Sequence, residues 1–438
     1  MTPGWPSSAD VVVVGAGTAG CIVAHRLAAS GDRSVLLLEA GPGTVPAAAT
    51  TALTRLPTGD RARSVHFDER WGRPVVRGRG LGGSASINGG YFMRPHPGDL
   101  TGWPAWWTPD RVGRGYAALD GGAAGGGAMH VSAFGDDELG DVARIFEDYW
   151  AGTWGPADTG AWAHPGLLRV RSNRRGGHRF TAADGFLSPP PPPLTVAGEA
   201  TVDEILHDEG RVRGVRVGHR RVAAGEVIVC AGTVGSALLL RRSGLWHRIG
   251  VRALPLHEHP ERLVRFAPRR EVHAPALLQS VVHTDDGLEI RCYGADFAAF
   301  IAGLTPSGVP IGVADLAHPA AGTIDAEGGL DLGTPGAESL ARMDAAADQV
   351  VQMLSAPAFA GLVEPGSVAV DPVLGMSQHA TGTLPLGAAV DHLGGVPSVE
   401  GLRVVDGSVL PGPLRSGPHA TIAMVAWVIG GELARTAG

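Results

Sequence analysis

The chain has 438 residues, 44% of them hydrophobic, and a formal net charge of −7. That length supports a large core and about two domains, and the acidic balance excludes nucleic acid as an expected partner. All 36 basic residues are arginine, which rules out Schiff-base chemistry on lysine, and three scattered cysteines (Cys21, Cys230 and Cys292) are too few for a disulfide framework or metal cluster.

The first element is an all-apolar run, Val11 to Val14, suited to a parallel strand buried on both faces. Gly15, Gly17 and Gly20 then give GxGxxG spacing before an apolar helical stretch from Thr18 to about Ala29. The first glycine permits a tight turn, the second lets backbone approach a pyrophosphate, and the third lets helix and strand pack closely. The free amides of the helix start favour phosphate charge. A second strand, Ser34 to Leu38, delivers Glu39, 24 residues beyond Gly15. Its carboxylate can accept hydrogen bonds from ribose hydroxyls and repels a 2′-phosphate, which disfavours NADP.

Pro74 to Pro95 follows, with Gly78, Gly80, Gly82, Gly83, Gly89 and Gly90 in a run that can lie along a large planar ligand. The bland alternative is a flexible surface loop. Trp103, Trp106 and Trp107 read as a local core, Gly121 to Gly127 as a mobile loop, and the five prolines from Pro189 to Pro193 as a rigid spacer. Leu194 to Val217 alternates like paired strands. Residues 263–313 alternate between turn signals, as an antiparallel sheet does, and Glu338 to Leu354 has helical periodicity. Cys21 and Cys230 sit in apolar segments and read as core. No signal peptide precedes the first strand and no apolar run reaches membrane-spanning length, so a cytoplasmic protein without a membrane span is expected.

Four blocks resemble one family. They are VVVVGAGTAGCIVAHRLAASGDRSVLLLEAGPG, GRGLGGSASINGGYFMRP, EVIVCAGTVGSALLLRRSGL, and the stretch from His379 to Trp427. In that order they are similar to the glucose-methanol-choline (GMC) flavoprotein oxidoreductases. The resemblance implies an α/β fold: a Rossmann-like FAD-binding domain (1–100, 194–260 and 371–438) with an interleaved antiparallel-sheet substrate domain (101–193 and 261–370). It places FAD on Gly15, Gly17, Thr18, Ala19, Gly20, Glu39, Ala40, Arg79, Gly82, Gly83, Ser84, Asn88, Gly89, Gly90, Val202, Ala231, Gly232, Asp406, Gly407, Pro418, His419 and Thr421. Some members tether FAD through a histidine in the second block. Ile87 stands there in this chain, so FAD is expected to be non-covalent.

His379, in His379-Ala-Thr-Gly-Thr, matches the family's catalytic base, which takes the hydroxyl proton of an alcohol while hydride passes to the flavin. Gly417 falls where the family usually has Asn or His. His419 is the nearest replacement, the alternative being that it only caps or packs at the start of the last helix. Pro418 suits a first helical turn, and that helix start is expected to face the flavin pyrimidine.

The INGGYF run resembles the dehydrogenases associated with the redox peptide mycofactocin. The expected substrate is an alcohol or reduced mycofactocin, and the electron acceptor is unknown. The alternatives are a small-alcohol or sugar oxidase, a hydroxynitrile lyase-like protein, or a degenerate FAD-binding protein.

Overall fold

A computed structural model describes residues 4–436. Five short apolar strands form a parallel sheet in the order 402–404, 226–229, 11–14, 35–38, 194–197. Their register puts Val404, Val229, Val14, Leu38 and Ala197 in one row. The segments that follow this row therefore emerge side by side at the carboxyl edge, where open α/β sheets bind ligands. These segments begin with Val405, Cys230, Gly15 and Glu39.

The helix Thr18–Ala28 covers one face of the sheet and packs on the last helix, His419–Thr436. Both contacts need small residues. A Cβ on Gly20 would lie 1.8 Å from the Gly15 carbonyl oxygen, and one on Gly430 would lie 3.3 Å from the Val23 Cα.

The spacer prolines lead into Leu194–Ala197, which is not the partner of the strands after it. It adds parallel to 35–38, while 204–208, 211–217 and 220–223 form a separate antiparallel sheet. Alternation shows that a strand is half-covered and does not say by which neighbour.

The second large sheet is antiparallel, in the order 369–370, 260–266, 309–315, 288–293, 278–283, 166–169. Two helices, Asp141–Trp154 and Ala337–Leu354, cover one face through Val142, Phe146, Met343 and Val350. Strand 288–293 shows the period of two plainly. Leu288, Ile290 and Cys292 join that apolar core, while Glu289, Arg291 and Tyr293 point to the other face, above the parallel sheet's carboxyl edge.

The core around the parallel sheet also takes in Trp103, Trp107, Val112, Tyr116, Leu119, Met129 and Val131. The second core takes in Leu53 from before this stretch and then residues from Phe134 onward. The glycine loop is also short and tied, with paired backbone bonds between Gly126 and Val131.

Candidate active site

A cavity of about 1710 Å³ runs from the carboxyl edge of the parallel sheet to the underside of the antiparallel sheet. Its lower wall is mostly backbone. Gly15 turns at φ +98°, where a Cβ would strike the Cys230 carbonyl. The second glycine block crosses directly above: Gly82 N–H donates to the Ala16 carbonyl at 2.9 Å, and a Cβ on Gly83 would sit 2.7 Å from the Gly17 Cα. Only glycines let these two loops meet while leaving a slot beside the start of the first helix.

Glu39 fastens the loops. Its buried carboxylate accepts N–H bonds from Ala16, Gly41 and Gly80, each at 2.8 Å. Of about four acceptor positions on a carboxylate, three are thus used by the chain, leaving one for a ribose hydroxyl. The acid expected on a ribose also holds the cradle shut. Asp406 works similarly: it accepts from Gly232 N–H (2.9 Å), Ser236 Oγ (2.5 Å) and Ser408 N–H (2.8 Å). Burial pushes its carboxyl up, against these bonds. Its side chain serves the fold, and Asp406 and Gly407 both lie on the cavity wall.

Most of the expected cofactor residues lie on this wall; Gly20, Gly82, Gly90 and Thr421 do not. The three glycines pack behind it. The Thr421 hydroxyl is turned inward, 2.8 Å from the Tyr116 hydroxyl. The slot, the glycine surfaces and the helix start fit a bound dinucleotide of FAD type, with Val202 and Ala40 at one end and Ile87, Pro418 and Ile422 further along.

His379 stands where the cradle meets the roof. Gln378 before it holds φ +63°, a costly conformation for a residue with a side chain. Its amide is fixed by Arg77 (2.7 Å), Val76 N–H (3.2 Å) and the Pro74 carbonyl (2.6 Å). Next, the buried Glu258 carboxylate accepts the backbone N–H groups of His379 (2.7 Å) and Ala380 (3.1 Å). The imidazole meets that of His259, with Nδ1 to Nδ1 at 3.0 Å and the ring planes perpendicular. Burial, then the neighbouring His259 and Arg291, hold His379 well below the ordinary histidine value, so the ring is neutral at pH 7.

His419 lies on the wall of the same cavity, at the start of the last helix. Its Nε2 lies 3.0 Å from Thr18 Oγ1 and its ring packs edge-on to Phe92, while burial lowers its pKa to about 4. No hydrogen bond or ring contact joins it to His379 among the described residues. The helix begins at His419, and its ring is directed to the first helix. The space beside His379 belongs to Gly417: a Cβ there would be 3.5 Å from His379 Nε2 and 3.2 Å from the Tyr91 ring.

The roof is a buried charge network that sequence reasoning missed. Tyr91 donates to Glu289 (2.9 Å); Glu289 also meets Arg291 Nε (2.6 Å) and His283 Nε2 (2.8 Å). Arg291 reaches Ser377 Oγ (2.6 Å) and Glu261 (3.3 Å), and Tyr293 donates to Glu261 (2.8 Å). Burial raises the Glu289 carboxyl, but Arg291 and His283 outweigh it and hold it below the usual carboxylate range. The available signal was the strand Leu288-Glu-Ile-Arg-Cys-Tyr, whose polar residues alternate with apolar ones. Polar alternation usually means a solvated face, whereas here both faces are buried.

A dinucleotide cradle under a polar roof, with a neutral imidazole between them, defines a flavin-type oxidoreductase site. Family models for GMC oxidoreductases match residues 9–261 and 335–426. A GMC-type oxidoreductase of Rhodococcus erythropolis, itself uncharacterized, is 30% identical over 95% of this chain and 97% of its own. An oxygen-dependent choline dehydrogenase of Paraburkholderia phytofirmans is 31% identical over 66% of the chain and 60% of its own length. Among solved structures, pyridoxine 4-oxidase from Mesorbium loti superposes with a TM-score of 0.82 at 23% identity, over 97% of this chain and 98% of that one, which speaks to the fold. The chain belongs to the GMC oxidoreductase family. It is an FAD-dependent alcohol oxidoreductase.

Proposed function

We propose that this chain oxidises the CH–OH group of an alcohol, with His379 as the general base. The observation that carries the reading is the buried, neutral His379 on the wall of a cavity continuous with the dinucleotide cradle. FAD, when bound, supplies the hydride acceptor. The substrate hydroxyl gives its proton to His379 Nε2. Glu258 and Gln378 keep that nitrogen in place, and the antiparallel sheet excludes water from above. Gly15, Gly17, Gly83, Ala231, Gly232 and Gly407 are the proposed backbone contacts to the cofactor, with His419 and Thr18 beside them. Ile87 on the wall has no group that bonds to a flavin, so acid precipitation is expected to release the yellow chromophore into the supernatant.

The cavity changes character along its length. Glu289, Arg291 and Tyr293 lie deep, while Val65, Trp71, Leu304 and Val373 are exposed and ring the opening. Four of the five exposed large hydrophobic residues among those described are thus gathered at one mouth. This favours an alcohol with an apolar or aromatic body, its carbinol end reaching His379. Reduced mycofactocin is the specific candidate suggested by the INGGYF run, with electrons passed to an acceptor other than oxygen.

The test is anaerobic mixing of the FAD-loaded enzyme with an alcohol panel and reduced mycofactocin, followed by oxygen or dye acceptors. Bleaching of the flavin supports an oxidoreductase, and cyanohydrin cleavage without bleaching a lyase. Neither outcome leaves a binding protein. His379→Ala is expected to retain FAD and slow bleaching by about 10²- to 10⁴-fold; more than a tenth of the rate retained removes His379 from the role.

A further inference from the structure

We infer that His259 is a positioning residue that sets the tautomer of His379, leaving Nε2 of His379 bare toward the cavity. The inference rests on the reading of His379 as the base.

Two imidazoles that meet Nδ1 to Nδ1 at 3.0 Å share a single proton between those nitrogens. Both rings are neutral in the fold: burial, then Arg291, lowers His259 to about 3, and burial with His259 lowers His379. Two arrangements follow. With the proton on His259 Nδ1, His379 must carry its own proton on Nε2 and faces the cavity as a donor. With the proton on His379 Nδ1, His379 Nε2 keeps its lone pair, and His259 carries its proton on its own Nε2. Only the second accepts a proton from a substrate hydroxyl.

The second arrangement also needs no rearrangement during the step. When Nε2 of His379 takes the hydroxyl proton, the imidazolium still donates its Nδ1–H to His259 Nδ1, and the bond becomes charge-assisted. His259 is thus an acceptor for the base in both protonation states, a role other triads give to a carboxylate. No proton leaves Nδ1, and none is lost from the pair.

The pairing is built into the backbone. Glu258 accepts N–H bonds from His259 (2.9 Å), His379 and Ala380, so one buried carboxylate registers both histidines. His257 and Thr381 exchange backbone bonds of 2.9 and 3.0 Å one step further on. The charged and titratable groups facing the pair are Glu258 and His257 on strand 254–258, which ends just before His259, Arg77 on strand 75–78, and Glu289 and Arg291 on strand 288–293.

Asn and Gln separate the idea from mere packing. The carbonyl oxygen of Asn can occupy the place of Nδ1, and that of Gln the place of Nε2. In anaerobic flavin bleaching by an alcohol that reduces the wild type, His259→Asn is expected within about threefold of wild type. His259→Gln and His259→Leu are expected to lose about 10- to 100-fold, the usual cost of removing an orienting hydrogen bond, with KM and FAD content little changed.

A second readout needs no turnover. In ¹⁵N-histidine spectra of the FAD-loaded protein, the signal that disappears in His379→Gln should show a protonated Nδ1 and a bare Nε2. The reverse tautomer, or equal rates in the Asn, Gln and Leu variants, overturns the inference. If His379→Ala stays active, the base reading itself fails. If His379→Ala is inactive while His259→Gln keeps the wild-type rate, only the positioning role of His259 fails.

Discussion

The floor and the roof of the cavity are made of different material. The floor is backbone: glycine surfaces, amides and two carboxylates, Glu39 and Asp406, spent largely on the chain itself. The roof is side chain: Glu289, Arg291, Tyr293 and Tyr91 joined by hydrogen bonds on one face of a sheet. A backbone surface holds a ligand common to a whole family, since it depends on close approach rather than on residue chemistry. A side-chain surface can change with every substitution, and that is where substrate choice is expected to lie.

If this contrast is right, the floor should fail by geometry and the roof by charge. The largest effect is expected for Gly20→Val. Its Cβ falls 1.8 Å from the Gly15 oxygen and 3.3 Å from the Cys230 Cβ, so the first helix must lift off its strand. A loss above about 4 kcal/mol is expected, the range reserved for severe core disruption. The protein should be isolated without flavin, as read by its visible absorbance and thermal midpoint. A yellow protein of normal stability breaks the account of the floor.

Arg291→Met tests the roof. It leaves Glu261 buried without its cation and Glu289 with only His283, a change that typically costs about 3–5 kcal/mol. Because the Glu289 carboxyl is held down in the fold, its pairing stabilises the protein above the unfolded carboxyl value of about 4.3 and is lost as pH falls toward the lowered folded value. The wild-type thermal midpoint should therefore drop on acidification through that window, and Glu289→Gln should drop less. Identical slopes for the two would show that the roof charges contribute nothing.

The same contrast explains what could be read from the sequence. The parallel strands, the glycine turn and Glu39 follow a spacing dictated by a pyrophosphate, and His379 sits in a motif next to it. The helix expected over 338–354 differs from the observed Ala337–Leu354 by one residue, because its period is local. The roof has no such spacing. Glu261, Glu289 and Arg291 acquire meaning only when two strands 22 or more residues apart pair through 309–315, and alternation alone cannot say which face is covered. His259 was hidden for the same reason, as it lies 120 positions from the ring it touches. His419 reads differently: nearness in sequence to Gly417 suggested a place beside His379, and the start of the helix directs the ring to Thr18.

The smallest effect, and the finest test of the junction between floor and roof, concerns Gly417. The missing side chain has not left a void, since the Tyr91 ring lies 3.2 Å from where its Cβ would be, within reach of His379 Nε2 at 3.5 Å from the same point. Tyr91 cannot give way freely, because its hydroxyl is held by Glu289 and its ring belongs to the cluster of Met93, Leu278 and Tyr293. Gly417→Asn, which restores the family's usual residue, is therefore expected to slow flavin bleaching by about tenfold rather than to raise it, a cost near 1.4 kcal/mol. Removing the obstacle in Tyr91→Ala/Gly417→Asn should recover most of the rate. The two changes are then non-additive, as substitutions sharing one space are. Additive losses would mean that Tyr91 serves the alcohol directly through its hydroxyl, and the glycine would then be incidental to it.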